Sequence, residues 1–283
     1  MKEGIPSGTA ISSAVMRAVH QIHDGEPKIL TDNVSVGLVE GSTEEEILAQ
    51  DKSLYDPFIA LRAGLVLSSR FAEDQLEIAV AAGIEQYVIL GAGLDTFAFR
   101  QPAWARTIRI IEVDHPPSQE NKRERLAAKG IHIPNNVELC PIDFEHTTLS
   151  DGLAVVTFDF SRPSFFSWLS VTQYLTESSI EATLRFILMM PSPTEIVFTF
   201  VPPDECLAPY TLPSLQFIAD VAASVGEPWI TRFRPEHWKD WLLKLGFSSV
   251  FHLTPELAND RYFMGRTDGL QASEEMQLIH ATV

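Results

Sequence analysis

The stretch YVILGAGLDTFAFR, residues 87–100, decides the reading of this chain. Tyr87–Leu90 is a short run of strand-forming apolar residues that ends in Gly91-Ala92-Gly93. A buried strand stopping at two glycines one residue apart marks a tight turn where a ligand can approach the backbone. The same texture repeats outward from it. Upstream, Ala72, Leu76, Ala79, Val80 and Gly83 form a helical stripe. Downstream, TIRIIEV (107–113) runs to Asp114, a helix spans about 118–129, and VELCPI (137–142) runs to Asp143. FFSWL (165–169), a helix near 178–189 and EIVFTFV (195–201) follow. Strands alternating with helices predict a mostly parallel sheet with crossover helices, a doubly wound α/β fold.

The flanks add to this core. Ile11, Ala14, Val15, Ala18, Val19 and Ile22 lie on one helical face. A second helix starts near Thr43, with Glu44–Glu46 in its first turn, where carboxylates suit the helix dipole. Asp56-Pro57 ends it, and a further helix runs from Pro57 toward Arg70. Near the other end, Trp238, Trp241, Leu242 and Leu245 form a core-facing stripe stopped by Gly246. Two β-rich runs, SSVFHL (248–253) and RYFMGR (261–266), predict an antiparallel pair closing the sheet. The expectation is one domain over 1–283. It has a helical cap (1–70), a ligand-binding core (71–202), a helical substrate-side insertion (203–230) and a C-terminal helix and strand pair (231–283).

Charge excludes several partners. The chain has 21 Lys+Arg against 38 Asp+Glu, a net −17. Its densest basic run, Lys122, Arg123 and Arg125, is diluted by Glu120 and Glu124. Nucleic acid and anionic membrane, both bound through clustered cations, are therefore not expected partners. Two cysteines, Cys140 and Cys206, make neither a disulfide framework nor a zinc spacing, and His20, His132 and His237 have no ligand-like spacing. No metal is expected. The start, MKEGIPSGTA, does not read as a signal peptide, and no apolar run approaches 18 residues. A cytoplasmic protein is the expectation.

Three strand ends carry the chemistry. Gly91 and Gly93 end the first. Asp114 ends the second, 23 positions after Gly91, where an acid receives ribose hydroxyls. Glu112 shares its strand face and competes for that role. Asp143 ends the third, where an adenine amino group can lie. A nicotinamide dinucleotide and S-adenosylmethionine both fit such a site. The dinucleotide wants a third glycine where Thr96 stands, and Asp95 would repel its pyrophosphate. An acidic turn suits a ligand bearing a sulfonium and an ammonium, which favours S-adenosylmethionine.

LGAGLDTFAFR followed by EVDHP resembles the leucine carboxyl methyltransferase-like family of class I S-adenosylmethionine-dependent methyltransferases. That family includes bacterial polyketide O-methyltransferases and enzymes acting on protein C-terminal carboxylates. The resemblance extends through SGTA with RAVH, SSRF, PIDFE, WLSVTQYLT and RYFMGRTDGL. It implies that Arg70 pairs with the cofactor's methionine carboxylate, as a guanidinium fork suits a carboxylate. It also implies that Gly91 and Gly93 form the cofactor turn, that Asp114 holds the ribose, and that Asp143 and Phe144 flank the adenine, with Phe144 where relatives have Leu. One departure stands out: relatives have Glu-Gly where this chain has Leu169-Ser170, so an acidic cofactor contact is missing.

Tyr174, just past the fourth strand, is the substrate-side candidate, whereas His115 reads as a loop histidine rather than a base. The expected activity is methyl transfer to an oxygen of a small-molecule acceptor. A carboxylate is favoured because it is ionised at pH 7 and needs no base, whereas a hydroxyl usually does. No residue is assigned as catalytic. The competing readings are a nicotinamide-dependent oxidoreductase, methylation of a protein C-terminal carboxylate, and a cofactor-binding protein without catalysis.

Overall fold

The computed structural model describes residues 7–41, 43–50, 59–143 and 146–283. Seven strands among them form one sheet: β1 (Gln86–Leu90), β2 (Arg109–Asp114), β3 (Val137–Pro141), β4 (Phe165–Trp168), β5 (Glu195–Phe200), β6 (Ser249–Leu253) and β7 (Gln277–Thr282). Their order is β3-β2-β1-β4-β5-β7-β6. The first five are parallel, and β7 runs antiparallel between β5 and β6. From β1 the chain winds outward through β2 and β3, then returns to build β4 and β5 on the other side. The order reverses between β1 and β4, and a doubly wound sheet opens its ligand crevice at such a point, beyond the carboxyl ends of the strands.

The helices are α1 (Gly8–His23), α2 (Asn33–Leu38), α3 (Glu44–Gln50), α4 (Ile59–Ala81), α5 (Pro116–Ala128), α6 (Leu149–Leu153), α7 (Glu177–Leu188), α8 (Leu212–Ser224), α9 (Pro235–Leu245) and α10 (Pro255–Ala258). Central strands are apolar on both faces because helices cover both. On one face Phe71, Leu76 and Ala79 of α4 share a core with Ile89, Ile110 and Phe165. On the other, Ile180, Leu184 and Ile187 of α7 and Trp238 of α9 pack with Val88, Ile111, Phe166 and Phe198. Trp238 is fully buried, its ring centroid 4.7 Å from that of Phe198. No helix among the described residues is long and apolar enough to cross a membrane.

The α/β architecture, the single antiparallel strand and the helix in the 203–230 segment agree with the sequence reading. Two elements differ. The stripes before Arg70 and after Ala72 belong to one helix, α4, because nothing between them breaks it. RYFMGR is not a strand: Asn259–Phe263 extends α10 as a π-helical turn, burying Phe263 while the Tyr262 hydroxyl donates to Asp74 at 2.8 Å. The partner of β6 is β7, where Leu278 and Ile279 are both buried, as a two-sided strand requires. The break expected at Asp56-Pro57 lies outside the described residues.

The N-terminal helices are tied to α4 by buried charge. Arg62 donates two bonds to Asp24, at 2.9 and 2.8 Å, and His20 Nδ1 lies 2.7 Å from the same carboxylate. Burial alone would raise the Asp24 carboxyl, but the His20 and Arg62 bonds outweigh it and hold it below its ordinary value.

Candidate active site

The turn after β1 uses its glycines for conformation and for space. Gly91 has φ 67° and Gly93 φ 46°, both left-handed. A Cβ on Gly91 would lie 2.4 Å from Val171 Cγ2, and one on Gly93 2.9 Å from Ala10 Cβ. The Gly91 and Ala92 N–H groups donate to the Val113 carbonyl at 2.8 and 3.0 Å, which holds the turn against the end of β2.

Asp114 stands at that end. Its Oδ2 accepts the Gly93 N–H at 2.5 Å and its Oδ1 the His115 N–H at 2.6 Å. Burial raises its carboxyl above the usual range, and the two backbone bonds work against that rise. A carboxylate has about four lone-pair positions, so about two remain for a ligand. The competitor, Glu112, is wholly buried and paired with the equally buried Lys122. Burial pushes Glu112 up to about 7 despite Lys122. It faces α5 rather than the crevice, which leaves Asp114 as the acid at the turn.

Beside Gly93 lies a small cavity lined by Ser7, Ala10, Ile11, Leu94, Ser118 and Asn121. Two buried polar atoms next to Asp114, Ser118 Oγ and His115 Nδ1, have no hydrogen-bond partner. Polar groups left this way beside a glycine cradle fit a bound polar ligand. The third strand end is tied in as well, because the Ile142 N–H donates to the Asp114 carbonyl at 2.8 Å. Asp143 follows, its side chain 36% exposed and 4.0 Å from His146 Nε2. Gly91, Gly93, Asp114 and Asp143 thus sit on three adjacent strand ends. Phe144 lies outside the described residues.

Arg70 lies on α4. Its side chain is 47% exposed, and its Nε pairs with Asp74, one helical turn on, at 2.8 Å. The Arg17 guanidinium of α1 reaches the turn. It is 8% exposed, donates to the Leu94 carbonyl at 2.6 Å, and has a buried Nε without a hydrogen bond, 3.5 Å from Asp32. Asp32 also accepts from Thr96 Oγ1 at 2.7 Å, and Thr96 accepts from Arg100 at 3.0 Å. Thr96 is therefore a buried peg joining the cap to the turn, at the position where a dinucleotide site needs a glycine.

Past β4, Leu169 packs against the apolar core and offers no acid. Ser170 holds a left-handed φ of 59°, and Val171 covers Gly91. Tyr174 closes the short 3-10 turn, its N–H donating to the Val171 carbonyl at 3.0 Å. Burial raises its phenol, whose neighbours are Trp229, Thr9, Gln173 and the Glu227 charge. Glu227 Oε2 accepts the Thr9 N–H at 3.1 Å and the Thr9 hydroxyl at 2.7 Å. No described Lys, Arg or His pairs with Glu227.

The leucine carboxyl methyltransferase family model matches residues 10–188. The chain belongs to the leucine carboxyl methyltransferase family. It is 31% identical to YktD of Bacillus subtilis over 99% of both chains, a protein provisionally named an S-adenosyl-L-methionine-dependent methyltransferase. Among solved structures, one from Thermobifida fusca, provisionally named a methyltransferase, superposes with a TM-score of 0.59 at 16% identity, covering 99% of this chain and 96% of that one. A DUF574 family protein from Streptomyces avermitilis superposes with a TM-score of 0.57 at 15% identity, each chain covered to 96%. These two likenesses concern the fold. This member of the leucine carboxyl methyltransferase family is an S-adenosylmethionine-dependent methyltransferase.

Within this methyltransferase, the sequence located the strand-end residues and missed Arg17, Thr9 and Glu227. Thr9 and Glu227 are 218 positions apart and meet only because α1 crosses the crevice. Nothing local in the sequence signals that pair. Arg17 did carry a signal, as a charged residue one position from the apolar stripe of α1.

Proposed function

We propose that this methyltransferase acts on an oxygen of a small-molecule acceptor, with the cofactor along the ends of β1, β2 and β3. In this reading Asp114 holds the ribose, Gly91 and Gly93 give the backbone path beside it, and Asp143 and Phe144 flank the adenine. The observation that carries it is the Asp114 carboxylate, fixed by two backbone bonds yet retaining acceptor positions beside Ser118 Oγ and His115 Nδ1. S-adenosylmethionine supplies the electrophilic methyl group when bound. The chain's own residues bind and orient: the acidic Asp95 and Asp114 favour a cationic ligand at the turn, and the first turn of α1 over Gly93 excludes water. The resemblance gives the methionine carboxylate to Arg70; Arg17, already at Leu94, is the second candidate for it.

The acceptor oxygen is a hydroxyl in this reading, its proton passing to solvent as the methyl group arrives, although the sequence alone favours a carboxylate. Glu227 is buried beside Tyr174 without a described counter-cation, and a second carboxylate there would meet like charge. We also propose a cytoplasmic setting, supported by the two free cysteines. The test is release of S-adenosylhomocysteine across a panel of hydroxyl acceptors and matched carboxylates. Turnover confined to the hydroxyl set supports the reading, and turnover confined to the carboxylates reverses it.

A further inference from the structure

We propose that the first turn of α1, residues 8–11, is a gate over the cofactor site, that Glu227 holds it shut through Thr9, and that the cofactor binds only when it is lifted. This rests on the reading that Asp114 holds the ribose, and deepens it. The gate starts from the sequence Ser7-Gly8-Thr9-Ala10. Ser7 Oγ caps the helix by accepting the Ala10 N–H at 3.1 Å. The Thr9 N–H, in the first turn, has no carbonyl of its own helix within reach. It donates to Glu227 Oε2 at 3.1 Å, and the Thr9 hydroxyl donates to the same oxygen at 2.7 Å. A carboxylate at a helix N-terminus also suits the dipole. Gly8 lets the turn lie against α8, because a Cβ there would stand 3.3 Å from Val225 Cβ.

Latched in this way, the turn occupies the approach to Asp114. A Cβ built on Gly93 would lie 2.9 Å from Ala10 Cβ and 4.0 Å from Asp114 Oδ2. A sugar ring needs about 3.5–4.0 Å to the carbon atoms on each side of it, so none fits between Gly93 and Ala10. The same turn seals Ser118. Ser7, Ala10 and Ile11 line the small cavity with it, and its buried Oγ has no hydrogen-bond partner. Lifting the turn opens both groups to a ligand. The rest of α1 stays in place. Arg17 donates to the Leu94 carbonyl at 2.6 Å, and the Gln21 side chain donates to the Leu30 carbonyl and accepts the Asp32 N–H, both at 2.8 Å.

The Thr9–Glu227 bonds belong to the shut form, so they compete with the cofactor. Apparent affinity is reduced by the fraction of molecules in the binding-competent form. Weakening the latch therefore improves binding, the opposite of what loss of a cofactor contact does. Glu227 is in this sense a positioning residue, acting on the site through Thr9.

The experiment follows S-adenosylhomocysteine binding to the full chain by stopped-flow fluorescence and calorimetry. Thr9→Val, which removes the hydroxyl bond, should raise the association rate at least fivefold and lower the dissociation constant with it. Thr9→Ser, which keeps the bond, should behave as the wild type. Association unchanged or slowed in folded Thr9→Val overturns the inference. A second variant pins the turn. Gly8→Cys with Val225→Cys joins two positions whose Cβ separation, 3.3 Å, is close to the about 3.5–4.5 Å that a disulfide spans. Cys206→Ser removes the partly exposed native thiol. Oxidised with glutathione disulfide, this protein should bind at least tenfold more slowly than the same protein reduced. Equal binding by the oxidised and reduced forms overturns the gate and leaves the cofactor reading standing. Failure of the wild type and the reduced protein to bind S-adenosylhomocysteine removes the cofactor reading and this inference with it.

Discussion

Replacing Asp114 separates its structural work from its work on the cofactor. In Asp114→Ala two charge-assisted bonds, to the Gly93 and His115 N–H groups, are lost from a partly buried site. Each such bond contributes about 1.5–3 kcal/mol net. Burial already disfavours the charge, so some desolvation cost is recovered, and the expected loss of stability is about 2–4 kcal/mol. The cofactor loses a charged acceptor for its ribose hydroxyls, about 1.5–3 kcal/mol, which is roughly tenfold to a hundredfold in affinity. Asp114→Asn, the milder change, keeps one acceptor oxygen and should fall between. The assay is calorimetric titration with S-adenosylhomocysteine, on protein shown by near-UV circular dichroism to be folded, with adenosine in parallel. Adenosine should weaken by a similar factor because the contact is to the sugar. An unchanged dissociation constant in folded Asp114→Asn and Asp114→Ala, or a larger effect from Glu112→Gln, would refute the reasoning.

Gly91→Ala should cost about 2–4 kcal/mol, from the left-handed φ and the overlap with Val171. Adding Val171→Ala should recover the overlap but not the backbone strain, which urea unfolding of both variants would show. For the methionine carboxylate, Arg17→Lys should weaken S-adenosylhomocysteine at least fivefold and leave adenosine unchanged, because only the former has a carboxylate. If Arg70→Lys does this instead, the role returns to Arg70. Glu112, pushed up to about 7 against an ordinary 4.5, holds more proton in the folded state than in the unfolded one between those values. Its contribution to stability is therefore fully present below about 4.5 and is lost as pH rises through about 7, at most about 1.4 kcal/mol per pH unit. Urea unfolding from pH 5 to 8 should show that slope reduced in Glu112→Gln, and an identical slope would contradict it.

How much of this was legible in the sequence depended on distance along the chain. Strand ends are local: an apolar run reaching Gly91, Asp114 or Asp143 announces both an element and the residue at its mouth. The choice between Asp114 and Glu112 was not local. Both lie on one face of β2, and only the packing of Lys122 from α5 removes Glu112 from the crevice. The RYFMGR strand failed because aromatic residues suit a helical turn as well when they have something to pack on, here Phe263 in the α4 core and Tyr262 on Asp74. Arg70 was read by resemblance alone, and an acid one helical turn away gives its side chain a local partner. The acceptor side was least legible, because Thr9, Tyr174 and Glu227 come from three distant segments that only the folded sheet brings together.

The central claim is that the cofactor lies across the ends of β1 and β2 with its ribose on Asp114. A crystal structure of the complex with S-adenosylhomocysteine tests it most directly. The account predicts both ribose hydroxyls within about 2.5–2.8 Å of the Asp114 carboxylate oxygens, with Gly93 beside the sugar and Ser118 Oγ or His115 Nδ1 gaining a polar partner. Density for the nucleoside elsewhere, or a ribose seated away from Asp114, would contradict it.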